Sequence, residues 1–308
     1  MQKNKKWIYL AALSLIWGSS FILMKRGLHY FRPDQVAALR MLVAFIVTFP
    51  ISLRYFTKIE KSRWKYIAIV GIFGSGLPAI LFTTAQIKVN SSLAGMLNSL
   101  TPVFTLLIAA FFFRSKFSPR HIYGVIAGFI GAAGLVLINA EGAFSTEAAY
   151  AQLIVLATVF YGISVNVIKT HLAGITSLLI SGFALMIVGI PYGIYLFSTD
   201  FVYRLNTIPL AWMGVVYVAI LAIMGTAVSN ILYFQLVKIA SPLFASAVTY
   251  LIPIVALLWG LADGETLNIL HIPAMQAILG GIALISYKPK SERVGISLDK
   301  TSISTGKD

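Results

Sequence analysis

The sequence predicts an all-α integral membrane protein with ten transmembrane helices arranged as two inverted five-helix repeats. Three observations carry that reading. Hydrophobic residues make up 58% of the chain and charged ones 11%, with a mean hydropathy of +0.87, far from the usage of a globular domain. Apolar runs of about 20 residues, the length that crosses a bilayer, recur along most of the 308 residues. One such run occurs twice. SSLAGMLNSLTPVFTLLIAAF, from Ser91 to Phe111, returns as PLFASAVTYLIPIVALLWGLA, from Pro242 to Ala262, each with an internal proline and each preceded by a lysine, Lys88 or Lys238.

Each span has a local signature. The first, 7–26, follows the basic start MQKNKK. Its apolar run from Trp7 to Met24 is too long for a signal-peptide core and lacks a small-x-small cleavage site, so it is expected to persist as a helix. Span two, 34–55, opens behind Pro33, and span three, 64–86, carries Gly74-Ser75-Gly76 and Pro78. Span four, 90–113, holds the first copy of the repeated run, and Pro119 opens the glycine-rich span five, 120–139. The second set runs over 150–170, 174–197, 209–236 behind Pro209, 241–262 with the second copy, and the glycine-rich 271–288. The expected domains are a cytoplasmic N-terminus (1–6), a first repeat (7–140), a second repeat (148–288) and a disordered cytoplasmic tail (289–308), polar and rich in Ser and Lys.

Net charge is +14, and its distribution orients the helices. With the N-terminus in the cytoplasm, the cytoplasmic segments hold 18 basic residues, from Lys3, Lys5 and Lys6 to Lys300 and Lys307. The outer segments hold 5: Lys25, Arg26, Arg32, Lys88 and Arg204. Acids lean the other way, with Glu141, Glu147, Asp200, Asp263 and Glu265 all outside. The positive-inside bias thus places both termini in the cytoplasm of a cell (inner) membrane, and it explains the basic charge without nucleic acid.

Five spans per copy is an odd number, so the second copy must lie upside down relative to the first. The first helices of the two copies also match. A shift of 144 pairs Ser14 with Thr158, Trp17 with Tyr161, Gly18 with Gly162, Ser20 with Ser164 and Lys25 with Lys169. Inverted repeats are an architecture of secondary transporters, with the solute site at the repeat interface.

These features resemble the drug/metabolite transporter superfamily, in its ten-helix EamA-type branch. The residues that carry the resemblance are ALSLIWGSSFILMKRGL at the start, RPDQVAALRMLVAF opening span two, LNSLTPVFTLL in span four, SPLFASAVTYLIPIVALLWGLADGETLN in the second copy, and AILGGIALISY near the end. The resemblance covers residues 7 to 288. It implies two five-helix repeats around a cavity open alternately to either side, small organic solutes as substrates, export rather than uptake, and a bacterial source. One place departs from the pattern: Gly264-Glu265 ends span nine, as is common in the family, whereas Ser115-Lys116 follows span four.

Candidate site residues lie on the repeated helices. Span four carries a small or polar stripe of Ser91, Gly95, Asn98, Thr101, Pro102 and Thr105, spaced to share one helix face. Span nine repeats it with Ser246, Thr249, Tyr250 and Pro253, and a shift of 151 sets Gly95, Asn98 and Pro102 on Ser246, Thr249 and Pro253. Each proline removes an i−4 hydrogen bond and frees a carbonyl that a solute ammonium or hydroxyl could use. Kinking and close packing are the alternative. Trp17 and Tyr161 are candidates for an aromatic wall or for ordinary packing beside Gly18 and Gly162, with Ser20 and Asn166 as polar neighbours that prefer the interior to lipid.

Arg40 lies about two turns inside span two, where a guanidinium must be paired or hydrated. Either it attracts a carboxylate or phosphate at the outer mouth, or it is a structural anchor that snorkels or pairs with carbonyls or Asp34. Gly74, Gly76 and Gly225 are candidate hinges, with close helix crossing as the alternative.

Several classes are excluded by what the spans lack. The chain has no cysteine, its histidines at 29, 121, 171 and 271 fall in connections without metal spacing, and none of its ten acids lies deep in a span. An enzyme, a metal or a cofactor is therefore not expected, and movement down the solute's own gradient is favoured over coupling through a buried carboxylate. The sequence-level reading is a secondary transporter of small amphipathic metabolites, such as amino acids or drug-like solutes, working by alternating access. A non-transporting sensor or channel-like facilitator is the rival. The expected partners are the lipid bilayer and a small-molecule solute, and no feature sets an oligomeric state.

Overall fold

The structure, a computed structural model, describes residues 2–55, 59–89, 91–138, 148–262, 269 and 271–286. Gly264 and Glu265, the acids Glu141, Glu147 and Asp263, and the tail 289–308 lie outside the described residues.

Every described element is a helix. In chain order these are α1 (Gln2–Leu28), α2 (Pro33–Arg54), α3 (Lys61–Ala85), α4 (Ser91–Asn98), α5 (Thr101–Phe111), α6 (Pro119–Ile138) and α7 (Ala148–His171). They continue with α8 (Ser177–Ser198), α9 (Phe201–Thr207), α10 (Ala211–Ile239), α11 (Pro242–Ser246), α12 (Val248–Ala262) and α13 (His271–Ser286). Among the described residues, six stretches are long and apolar enough to cross a membrane: Lys5–Leu28, Pro33–Pro50, Lys61–Ala85, Ala149–His171, Ser177–Ser198 and Ala211–Ile239.

The repeated run is helical in both copies but continuous in neither. In the first, the helix stops at Asn98 and restarts at Thr101. Pro102 has no N–H to give the Asn98 carbonyl, so the Thr101 hydroxyl donates to it instead, at 2.7 Å. In the second, the break falls at Ala247, and Pro253 lies inside α12. The Thr249 carbonyl that Pro253 leaves without its i−4 donor lies 3.3 Å from the Ser99 hydroxyl, which the Gly95 carbonyl shares at 3.1 Å. The expected freed carbonyls exist, and each faces a hydroxyl of the protein. The short α9 was not expected from the sequence; it begins after Asp200, whose carbonyl accepts from the Arg204 N–H at 2.9 Å.

Small residues let the helix axes approach. A Cβ placed on Gly281 of α13 would lie 2.6 Å from the Gly124 carbonyl of α6, so these two backbones touch. Phe45 of α2 fills the groove over Gly189 of α8 in the same way. Gly18 of α1 crosses α12 against Val255, and Gly162 of α7 crosses α5 against the Phe104–Thr105 backbone.

Among the described residues the buried apolar clusters include one around Leu10, Leu13, Val165, Ile168 and Phe183, another around Met24, Phe31, Phe82, Ile154 and Val218, and a smaller third around Met41, Leu185 and Val188. On α1, Trp17 packs on the first and Phe21 on the second. Between those two levels lies a cavity. Outward faces are strongly apolar, with Phe111 and Phe112 78% and 80% exposed, which fits a chain solvated by lipid rather than water.

Candidate functional site

The cavity is bounded by α1, α2, α3, α4, α5, α7, α10 and α12. Its volume is about 100 Å³, below the roughly 300 Å³ of a small ligand pocket.

Two π-helical turns form part of the wall. In α3 the turn is Ile72–Gly76, and in α10 it is Ile223–Val228. Such turns widen the helix locally and leave carbonyls off the regular ladder. In the α10 turn, the Gly225 carbonyl accepts from the Trp17 indole N–H at 3.1 Å and from Arg40 Nη2 at 3.4 Å. Arg40 Nε also donates to the Thr226 hydroxyl at 2.7 Å. In the α3 turn, Ser75 Oγ accepts from Asn230 Nδ2 at 3.0 Å, and the Gly76 carbonyl accepts from the Tyr192 hydroxyl at 3.0 Å. Each turn is also met by a serine at its glycine. Ser164 lies against Gly74, and a Cβ at Gly225 would stand 2.8 Å from Ser20 Oγ.

Aromatic rings complete the lining. Trp17 lies 5.1 Å from Tyr233 between ring centres, Phe21 6.5 Å from Phe82, and Phe82 6.2 Å from Tyr161. Among the described residues that line the cavity, Arg40 alone is charged and none is acidic.

Of the residues singled out from the sequence, the structure brings Trp17, Ser20, Arg40, Gly74, Asn98, Thr101, Tyr161, Gly225 and Thr249 to the cavity. The others are spent elsewhere. Pro102 is buried beside the break between α4 and α5, and Pro253 is buried inside α12. Asn166 donates to the Thr105 and Gly162 carbonyls, tying α7 to α5. Tyr250 is fully buried against Gly128 of α6 and donates to the Val125 carbonyl at 2.9 Å. Gly76 packs on Val188.

Arg40 neither snorkels nor meets Asp34, which is held by Arg32 at 2.6 Å; of the anchoring partners expected for it, it meets a backbone carbonyl, that of Gly225. Lining residues that the sequence reading passed over include Met41, Phe82, Asn230 and Tyr233. A signal for three of them was present: the 151 shift that joins the prolines also sets Phe82 on Tyr233, and Asn230 is an amide within an apolar 29-residue stretch.

At one end of the bundle, Arg32 bridges Asp34 and Asp200, Asp200 also binds Arg204 at 2.7 Å, and Gln35 Nε2 donates to Asp200 at 2.8 Å. The hydrogen bond from Arg204 holds the Asp200 carboxyl below the usual carboxylate range, and the bond to Asp34 raises the Arg32 guanidinium. At the other end, Lys169 and Lys238 donate to backbone carbonyls, of Lys238 and Ile175 respectively.

The chain matches the model of the EamA-like transporter family over residues 5–137 and again over 149–287. A protein of Archaeoglobus fulgidus named as an uncharacterized transporter is 25% identical over 285 residues, 92% of this chain and 99% of that one. The uncharacterized inner membrane transporter YedA of Escherichia coli is 27% identical over 286 residues, 90% of this chain and 89% of that one. A probable amino-acid metabolite efflux pump of Salmonella typhimurium is 30% identical over 135 residues, 43% of each chain. One protein of known crystal structure shares the fold with a TM-score of 0.69 at 17% identity, over 91% of this chain and 96% of that chain. Matched twice along nearly its whole length, the chain belongs to the EamA-like transporter family.

Proposed function

We propose that this protein carries a small amphipathic metabolite across the bacterial inner membrane by alternating access, outward from the cytoplasm. In this reading ten spans form two inverted five-helix repeats, 7–140 and 148–288, with both termini cytoplasmic. The observation that carries the reading is the paired construction of the cavity. Its two π turns carry Gly74 and Gly225, 151 residues apart, and each glycine is met by a serine, Ser164 and Ser20, 144 residues apart. A site built from matching pieces of two halves can be exposed by rocking one half against the other. The glycines at the π turns and crossings would then serve as pivots, and the narrow cavity would be a contracted stage of the cycle.

Two relatives support the setting: YedA is named for the inner membrane and the Salmonella protein for metabolite efflux. Purified protein in liposomes should show saturable counterflow with at least one member of a broad amino-acid and metabolite panel. Absence of exchange across the whole panel would sink the transporter reading. The orientation has its own test, because the chain has no native cysteine. In intact cells an impermeant thiol reagent should label Lys88→Cys and spare Lys116→Cys, and the opposite pattern would reverse the orientation.

A further inference from the structure

The cavity has one feature that its general reading does not use. It is lined with uncharged groups apart from Arg40, among the described residues. A guanidinium carries five N–H donors and no acceptor. Two are engaged, one by the Thr226 hydroxyl and one by the Gly225 carbonyl, and both acceptors are neutral. Three donors and a full positive charge remain without a carboxylate partner among the described residues. Inside a membrane such a charge has to be answered by water or by an anion. The nearest described acids on its own helix and its neighbours, Asp34 and Asp200, are bound to Arg32 and Arg204 at the end of the bundle.

We propose that Arg40 is the seat of a solute anion, and that the transported class is the small organic monoanion, a carboxylate on an apolar or aromatic body. This rests on the transporter reading and narrows it. The carboxylate takes the unused face of the guanidinium, where a planar two-oxygen anion matches the fork geometry. The body of the solute lies among Trp17, Phe21, Phe82, Tyr161 and Tyr233, whose faces accept flat apolar groups. Cationic amphiphiles are refused, because the fixed charge repels them and no lining acid offers compensation. A zwitterionic amino acid is held through its carboxylate alone, so its deaminated counterpart binds at least as well.

The same contacts tie the solute to the moving parts. Arg40 belongs to α2 and holds the π turn of α10. An anion on the free donors leaves both bonds in place and joins α2 and the α10 turn to the solute through one side chain, so solute binding and the position of the turn are linked.

The test uses the full-length protein in nanodiscs and three ligands with one body and three charges: phenylacetate, phenylacetamide and 2-phenylethylammonium. Calorimetric titration of the unaltered protein should rank them anion, amide, cation. Arg40→Gln should weaken phenylacetate by about tenfold or more, the range for a hydrogen bond to a charged group, and leave phenylacetamide within a factor of about two. Arg40→Lys should recover part of the loss. Equal binding of the three ligands, no binding of phenylacetate, or undiminished phenylacetate binding by Arg40→Gln would each overturn the anion seat. If Arg40→Gln does not fold, the charge series on the unaltered protein decides. Counterflow separates the two readings: exchange of the amide without the anion retains the transporter and removes the anion seat, whereas no exchange of any solute removes the transporter itself.

Discussion

The two π turns at the cavity occupy matching places in the chain yet are held in different ways. The α3 turn is fastened by neutral groups, the Tyr192 hydroxyl on the Gly76 carbonyl and Asn230 on Ser75. The α10 turn is fastened by an indole N–H and a guanidinium. Duplication supplies the shape of such a site twice, and later divergence puts the charge on one side only. A cavity with one charged wall has a polarity that a symmetric cavity lacks, so a solute with a charged end and an apolar end has one preferred orientation in it.

The difference begins just before the turns. Gly71 lies against α8, where an added Cβ would stand 2.6 Å from the Ala184 carbonyl, whereas its counterpart 151 residues on, Ala222, already carries a methyl and is fully buried. Because the obstacle at Gly71 is backbone, Gly71→Ala should cost about 3 kcal/mol, the upper part of the overpacking range. Ala222→Gly should cost only about 1 kcal/mol, the ordinary helix penalty. Thermal unfolding in detergent would show this as two clearly unequal shifts. Equal shifts would mean that the two turns are packed alike.

Next come the side chains that fasten the turns. Thr226→Val removes the acceptor of a charged donor and should cost about 2 kcal/mol, while Ser75→Ala breaks a neutral pair and should cost about 1 kcal/mol. The reverse order would show that Arg40 draws little from the α10 turn. Smaller again is the aromatic comparison. Trp17→Phe loses the indole donor to Gly225 and should cost about 1 kcal/mol. Tyr161→Phe should cost less than about 0.5 kcal/mol, because its hydroxyl makes no hydrogen bond among the described residues and its ring contact with Phe82 survives. Solute affinity measured on the same variants would show whether either ring also touches the solute.

How far the site was legible depended on what kind of signal each residue gives. Hydropathy marks where a helix runs, and the two fixed shifts, 144 and 151, marked Trp17, Tyr161, Asn98 and Thr249 as matching positions. Neither signal says how a helix is rotated about its axis. Tyr250 belongs to the same polar stripe as Thr249 but turns into the space that Gly128 leaves on α6. Asn166 was correctly read as an interior residue, yet its amide is consumed in bonding α5 to α7. Pairing between helices decides both cases, and that information is spread over residues far apart in the chain. Arg40 was conspicuous as a charge inside a span, but it was expected near the outer mouth and not in the cavity wall. Its arrival there follows from the close packing of α2 on α8 and α10, which no local pattern records.

The smallest effect concerns the ends of the bundle, where the same contrast between ionic and neutral fastening recurs. One end is closed by Arg32, Asp34, Asp200 and Arg204, the other by Lys169 and Lys238 on backbone carbonyls. Asp200 titrates lower in the folded protein than its unfolded value of about 3.9. Its contribution is therefore present above about pH 4 and is lost as the pH falls through the lowered folded value. The pairs are open to solvent, so the contribution is modest and salt weakens it further. The melting temperature of the unaltered protein should exceed that of Asp200→Asn by a steady, small margin from pH 5 to pH 8, and the margin should shrink below pH 4. No margin at any pH would mean that Asp200 acts through Gln35 Nε2, a neutral donor that an asparagine oxygen also satisfies, and the two ends would then be fastened by the same kind of bond.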